Sequence, residues 1–275
     1  MRTIAVALQA GGVGKTTVSL NLGALLADRG RRVLLVDADA QCNLTEAFEV
    51  APPPDRSLYE VLIDGLPLQE AVVQVPGRET LFILPGSQKM ARFDVAVADM
   101  DHREYRLREA LEAVDGQYDY VIVDCPPGLG LVLFNALLAA GEVLVPVQTR
   151  QRRVNALPIF LRVLVRAQKY HPELRLAGIV PNQYDRRNAH DQQALGYVER
   201  FAAKHRFRLF DPIATTTRIP EAESRKLPLC DYDRDTPASA ALEELAQQLD
   251  EHGTFDVPDA GEAEAVADAQ PVAER

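Results

Sequence analysis

The stretch Gly11-Gly12-Val13-Gly14-Lys15-Thr16-Thr17 decides the fold. It follows a short apolar run, Thr3 to Leu8, that reads as a buried strand. It precedes Lys15 to Arg29, where Val18, Leu20, Leu22, Leu25 and Leu26 fall at helical spacing and Gly30 stands where a helix-ending glycine belongs. Strand, glycine turn and helix in that order make a phosphate-binding loop. The glycines let the backbone curl until successive N–H groups face phosphate oxygens. The following helix adds the positive end of its dipole. Lys15 is placed to reach the β- and γ-phosphates, and the Thr16 hydroxyl to ligate Mg²⁺. Thr17 is placed to donate to the α-phosphate. The ordinary spacing GxxxxGK[ST] needs a glycine at position 9, and Gln9 stands there, so this loop is a GGxGKT variant.

Two acidic strand ends support the nucleotide reading. Val33 to Val36 is a second buried strand and runs into Asp37-Ala38-Asp39; Tyr120 to Val123 runs into Asp124. A carboxylate at the C-terminal edge of a parallel strand lies beside the phosphate loop. There it holds Mg²⁺ through water or orients an attacking water. Further strands are expected at Leu81–Leu84, Val143–Val147, Leu176–Val180 and Leu209–Ile213. Helices are expected at Leu58–Ile63, Arg103–Val114, Leu131–Ala140, Arg153–Gln168, Ala189–His205 and Ala238–Leu249. Apolar strands alternating with helices imply an α/β class: one domain with a mostly parallel twisted sheet and helices on both faces. That domain spans residues 1–250, and the Ala/Glu/Asp-rich residues 251–275 read as an acidic disordered tail.

Composition excludes several classes and misleads about one. The chain has 275 residues, is 47% apolar and 25% charged, and carries a net charge of -10. It is too apolar to be disordered as a whole, and it has no apolar run long enough to span a membrane. Cys42, Cys125 and Cys230 form no CxxC pair, which points to a reducing compartment and away from a zinc site or disulfide scaffold. The net charge argues against nucleic acid, but its distribution argues otherwise. Residues 148–226 hold 16 Lys/Arg against 7 Asp/Glu, an excess of +9. Arg186, Arg187, Arg218, Arg225 and Lys226 lie in that segment. With no base-reading motif, such a patch would contact phosphates without reading sequence.

The motifs resemble those of the ParA/MinD group of deviant Walker A ATPases. They read AGGVGKTT (10–17), VLLVDADAQCN (33–43) and YDYVIVDCPPGLG (118–130), followed by NALLAAGEVLVPVQ (135–148) and RIPEA (218–222). The likeness covers about residues 3–250 and is nearest to ParA-type partition ATPases. It implies a P-loop fold, with ATP and Mg²⁺ as cofactors. It makes Lys15, Asp39 and Asp124 catalytic, with Asp39 positioning water and Asp124 as the Walker B acid. It gives nucleotide binding to Gly11, Gly12, Val13, Gly14, Lys15, Thr16 and Thr17, and a base contact to Asn182. Metal binding falls to Thr16, Asp37 and Asp124. DNA binding is expected at Arg186, Arg187, Arg218, Arg225 and Lys226. The implied behaviour is ATP-driven sandwich dimerisation, non-specific binding of double-stranded DNA, and hydrolysis stimulated by a ParB-like centromere-binding partner. That would serve chromosome or plasmid partition in the cytoplasm, on the nucleoid.

Three departures qualify the resemblance. Ala10 stands where the family has a lysine that crosses the dimer interface, and loss of such a cation costs orders of magnitude in rate. Hydrolysis is then slow, or another cation substitutes; Arg150, Arg152 and Arg153 are the candidates, with solvated surface arginines the alternative. Cys42 replaces a family glycine, which predicts ordinary backbone angles and a buried inert thiol there. Ala214-Thr215-Thr216 replaces the family's Pro-Arg-Asn near the base. Two further readings therefore stand beside the partition switch: a nucleoid-based cargo-positioning ATPase, and a nucleotide-binding module with little turnover. A membrane-recruited switch would need a basic amphipathic C-terminal helix, and this end is acidic.

Overall fold

Among the described residues, eight strands form one sheet in the order β3-β4-β2-β5-β1-β6-β7-β8. They are β1 (Arg2–Val6), β2 (Val33–Asp37), β3 (Val73–Gln74), β4 (Leu81–Leu84), β5 (Tyr120–Asp124), β6 (Glu142–Gln148), β7 (Arg175–Asn182) and β8 (Phe255–Asp256). The computed structural model describes residues 1–50, 53–251 and 255–256. The six central strands run parallel, and β3 and β8 pair antiparallel at the two edges. Parallel strands need crossovers and helices on both faces, which explains their near-continuous apolar sequences.

Side chains alternate between the two faces, as strand geometry requires. Ala5, Leu34, Val36, Val121, Val123, Val143 and Val145 join one core, with Leu137, Phe160 and Leu164 from the covering helices. Ile4, Val6, Val33, Leu35, Ile122 and Leu144 join the other, with Leu22 and Leu26 of helix Lys15–Asp28 and Leu242 and Leu245 of helix Pro237–Glu251. At the N-terminal end of the sheet, Arg2 donates to both carboxylate oxygens of Glu142, at 2.8 and 2.9 Å, and to the carbonyl of Leu249. Tyr120 Oη donates to Asp250 at 2.9 Å, so β1, β5 and β6 are tied to the final helix.

Several expected elements differ from the observed ones. The helix expected over Arg103–Val114 forms only at Arg106–Glu112. The one expected over Arg153–Gln168 is broken into Gln151–Val154 and Ala156–Gln168. Pro158 has no N–H to bond back to residue 154 and its ring crowds that carbonyl, so the helix restarts at Ala156. Leu209–Ile213 is not a strand; Leu209 makes one isolated bridge to Ile179, and Ala214 another to Tyr184. Phe210 packs against Gly178, where a Cβ would strike its ring, and the segment bonds β7 only at spaced points, at Ile179 and Pro181. Phe255–Asp256, assigned to the disordered tail, pair with β7 as an edge strand. Glu251, the first residue of that tail, ends helix Pro237–Glu251, and its residues 252–254 and 257–275 lie outside the described residues.

Candidate functional site

The phosphate loop leaves the C-terminal end of β1 in the middle of the sheet, between β5 and β6. Ligands of open α/β sheets bind at this end. Gly12 and Gly14 have φ of 72° and 93°, in the region that favours glycine. At Gly14 a side chain is also excluded by contact: a Cβ there would run into Nδ2 of Asn182. The loop opens into a cleft of about 560 Å³. Gly11, Gly12, Gly14, Lys15, Thr16 and Thr17 form its floor. Asp39, Gln41 and Glu46 lie on one side, and Glu223 and Lys226 on another.

Lys15 is almost fully buried and donates Nζ to the carbonyls of Ala10, at 2.9 Å, and Leu8, at 3.3 Å. Burial holds its pKa below the usual lysine value, the Asp124 charge opposes this, and the Arg153 charge adds to the lowering. An ammonium curled back into the loop is already aimed at the space the loop encloses.

Thr16 and Asp124 are brought together as expected. Thr16 Oγ1 donates to Asp124 Oδ2 at 2.7 Å, and Ser19 Oγ donates to Oδ1 at 3.0 Å. Burial raises the pKa of Asp124 to about 7, helped by the charge of Asp37 on the adjacent strand. Hydroxyl and carboxylate side by side suit a hard cation that takes oxygen ligands. Asp37 is placed differently from expectation. It is fully buried and does not line the cleft. Its Oδ2 accepts from the Thr45 amide at 2.8 Å and hydroxyl at 2.6 Å, and its Oδ1 from the Asp39 amide at 3.3 Å. It therefore braces the turn after β2, next to Asp124 on the adjoining strand. Asp39 faces the cleft, and its Oδ1 accepts from the Gln41 amide at 3.0 Å.

Asn182, expected as a base contact, packs against the phosphate loop. It is buried, its Nδ2 donates to the Val13 carbonyl at 2.9 Å, and its Oδ1 accepts from the Gln183 amide at 2.8 Å. Gln183, with a φ of 55°, donates from Nε2 to the Gly12 carbonyl at 3.0 Å. The end of β7 thus props the loop from below. Thr17 Oγ1 donates to Glu223 Oε1 at 3.0 Å.

The basic residues are only partly free surface. Arg187 pairs with Asp185 at 3.1 Å, and Arg218 pairs with Glu221 at 2.7 Å and Asp233 at 3.2 Å. Arg225 lies over the Tyr232 ring. Arg186 is exposed, and Lys226 lines the cleft. Arg150, Arg152 and Arg153 sit where β6 passes into helix Gln151–Val154. Of these three it is Arg153 whose charge is felt at Lys15.

Cys42 contradicts the ordinary angles expected of it. It sits in the left-handed region at φ 56°, ψ 27°, before helix Asn43–Ala47. It is half-buried, and burial plus nearby carboxylates push its thiol pKa up to about 11, so it stays protonated. Ser19, Thr45, Gln183 and Glu223 were not anticipated. Ser19 sits one helical turn after Lys15 in sequence and was the one detectable from spacing.

These features define a P-loop nucleotide site of the paired-glycine kind on a doubly covered parallel sheet. The chain belongs to the ParA/MinD-type P-loop ATPases. A family described as "AAA domain" matches residues 1–176. The chromosome partitioning protein ParA of Caulobacter vibrioides is 36% identical over 256 residues, covering 90% of this chain and 94% of that protein. Cobyrinic acid a,c-diamide synthase from Mycobacterium smegmatis, solved with an ATP analog and magnesium, superposes with a TM-score of 0.81. It is 33% identical over 94% of this chain and 98% of its own. The cell division ATPase MinD from Pyrococcus furiosus matches with a TM-score of 0.74 at 27% identity, over 90% and 98%. Among the described residues no helix is long and apolar enough to cross a membrane.

Proposed function

We propose that this protein is a partition ATPase of the ParA type. ATP drives a sandwich dimer, the dimer binds DNA without sequence preference, and hydrolysis stimulated by a ParB-like partner resets it. One observation carries the link between nucleotide and DNA. The segment holding Arg218, Arg225 and Lys226 reaches the mouth of the phosphate cleft through Glu223 and Lys226. A segment that carries these basic residues and also lines the nucleotide cleft can change its presentation when the site fills.

The surroundings of each residue support the role we propose for it. Lys15 and the loop amides offset charge on the transferred phosphoryl group. Asp39 faces the cleft and orients the attacking water. Thr16, and Asp124 through water, would hold Mg²⁺, which when bound would supply positive charge beside the phosphate oxygens. Ala10 offers no cation. Arg150, Arg152 and Arg153, where β6 passes into helix Gln151–Val154, are the candidate substitutes, and Arg153 is tested below. A cargo-positioning ATPase with slow turnover is the second reading, and Ala10 is the residue that favours it.

The test is DNA binding with ATP, ADP and no nucleotide across a salt series. Binding is expected with ATP only and should fall steeply with salt. Lys15→Ala should abolish the nucleotide effect, and Arg153→Ala should reduce hydrolysis about a hundredfold while sparing ATP binding. Nucleotide-independent binding, or none at low salt, would overturn the switch.

A further inference from the structure

Helix Arg218–Ser224 delivers a carboxylate to a hydroxyl that the phosphate loop reserves for phosphate. Glu223 Oε1 accepts from Thr17 Oγ1 at 3.0 Å, in the cleft that also holds Lys15 and Lys226. The helix that carries Glu223 is held in place. Ala222 is buried, and the Leu227 amide donates to its carbonyl at 3.1 Å. Beyond the turn, the Leu229 amide donates to Asn21 Oδ1 at 2.7 Å. Asn21 Nδ2 in turn donates to the Thr17 carbonyl at 2.8 Å. Thr17 is therefore gripped twice by one segment, at its hydroxyl by Glu223 and at its carbonyl through Asn21.

A carboxylate oxygen and a phosphate oxygen carry the same charge and take the same kind of hydrogen bond. Both cannot occupy Thr17 Oγ1 without like-charge repulsion at contact distance. We propose that Glu223 is an intramolecular competitor for nucleotide phosphate at Thr17, so that nucleotide binds only by displacing it and Glu223 sets the affinity of the site. Glu223 is exposed, so water screens the repulsion and the effect is moderate. The inference rests on the nucleotide-site reading above.

Titration with a fluorescent N-methylanthraniloyl ADP, in the full chain, tests it. Glu223→Gln and Glu223→Ala should each bind about tenfold tighter than the natural protein, and the gain should shrink in high salt. Inorganic pyrophosphate should gain in the same way. In a Thr17→Val background, where the contested hydroxyl is gone, Glu223→Ala should change affinity little. The proposal is overturned if Glu223→Ala leaves affinity unchanged or weakens it while Lys15→Ala abolishes binding. If the natural protein and Lys15→Ala both bind no nucleotide, the reading of the site fails first and the proposal falls with it.

Discussion

Cys42 shows what a single residue can hide from sequence reasoning. A non-glycine side chain suggested ordinary backbone angles, yet the backbone is left-handed at φ 56°. The turn decides this. The Cys42 amide bonds the Asp39 carbonyl at 3.0 Å, and the Cys42 carbonyl accepts from Glu46 to start the next helix. Those two bonds hold the residue in a conformation that costs a side chain about 1 kcal/mol. Cys42→Gly is therefore expected to raise stability by about 1 kcal/mol, read as a higher denaturation midpoint at an unchanged m-value. Cys42→Ala, which keeps a Cβ, should give no such gain. Equal gains from both would mean that the thiol, not the backbone, is what costs stability.

At the scale of elements, what could be read was local and what could not was contact across the chain. Leu58–Ile63, Leu81–Leu84 and Ala189–His205 have the bounds their periodicity and flanking residues predict, because each boundary is set within a few positions. Leu58–Ile63 begins at a Ser57–Glu60 capping box, whose four residues suffice to start it. The phosphate loop was legible for the same reason. The partners of Asp37, Arg218 and Asn182 were not, since no spacing rule predicts that Thr45 meets Asp37 or that β7 reaches beneath Gly14. The loop and the end of β7 act as one unit through Asn182–Val13 and Gln183–Gly12. Asn182→Ala strands the Val13 carbonyl and leaves a gap under Gly14, at a cost of about 1–3 kcal/mol. A brace predicts that ATP and inorganic triphosphate lose affinity alike. A base contact predicts that ATP alone loses affinity, and competition binding separates the two.

For the whole molecule, the electrostatics of the sheet centre set a pH dependence. Asp37 and Asp124 are register partners on β2 and β5, both shut away from water. Burial raises their pKa values to about 6 and about 7, above the ordinary aspartate value of 3.8. A carboxyl raised in the folded state binds its proton more tightly there than in the unfolded chain. Its contribution is present in full below about pH 4 and is lost as pH rises through about 6 to 7. Carboxyls held low by cations act the other way; Glu60 beside Lys89 and Asp250 beside Arg31 remove stability as pH falls below their ordinary values. Half-buried His171, held below its ordinary value by desolvation, opposes the decline only weakly, because it adds stability as pH rises towards 6.5. The nucleotide-free protein should therefore be most stable near pH 5 and melt at progressively lower temperature up to pH 8. Asp124→Asn removes the larger of the two raised groups and should flatten that decline in thermal melts. Mg²⁺ with nucleotide favours the charged form of Asp124, so the stabilisation it confers should grow over the same pH range. A melting temperature that rises from pH 5 to 8 without nucleotide would mean that the buried pair keeps its charge in the empty site.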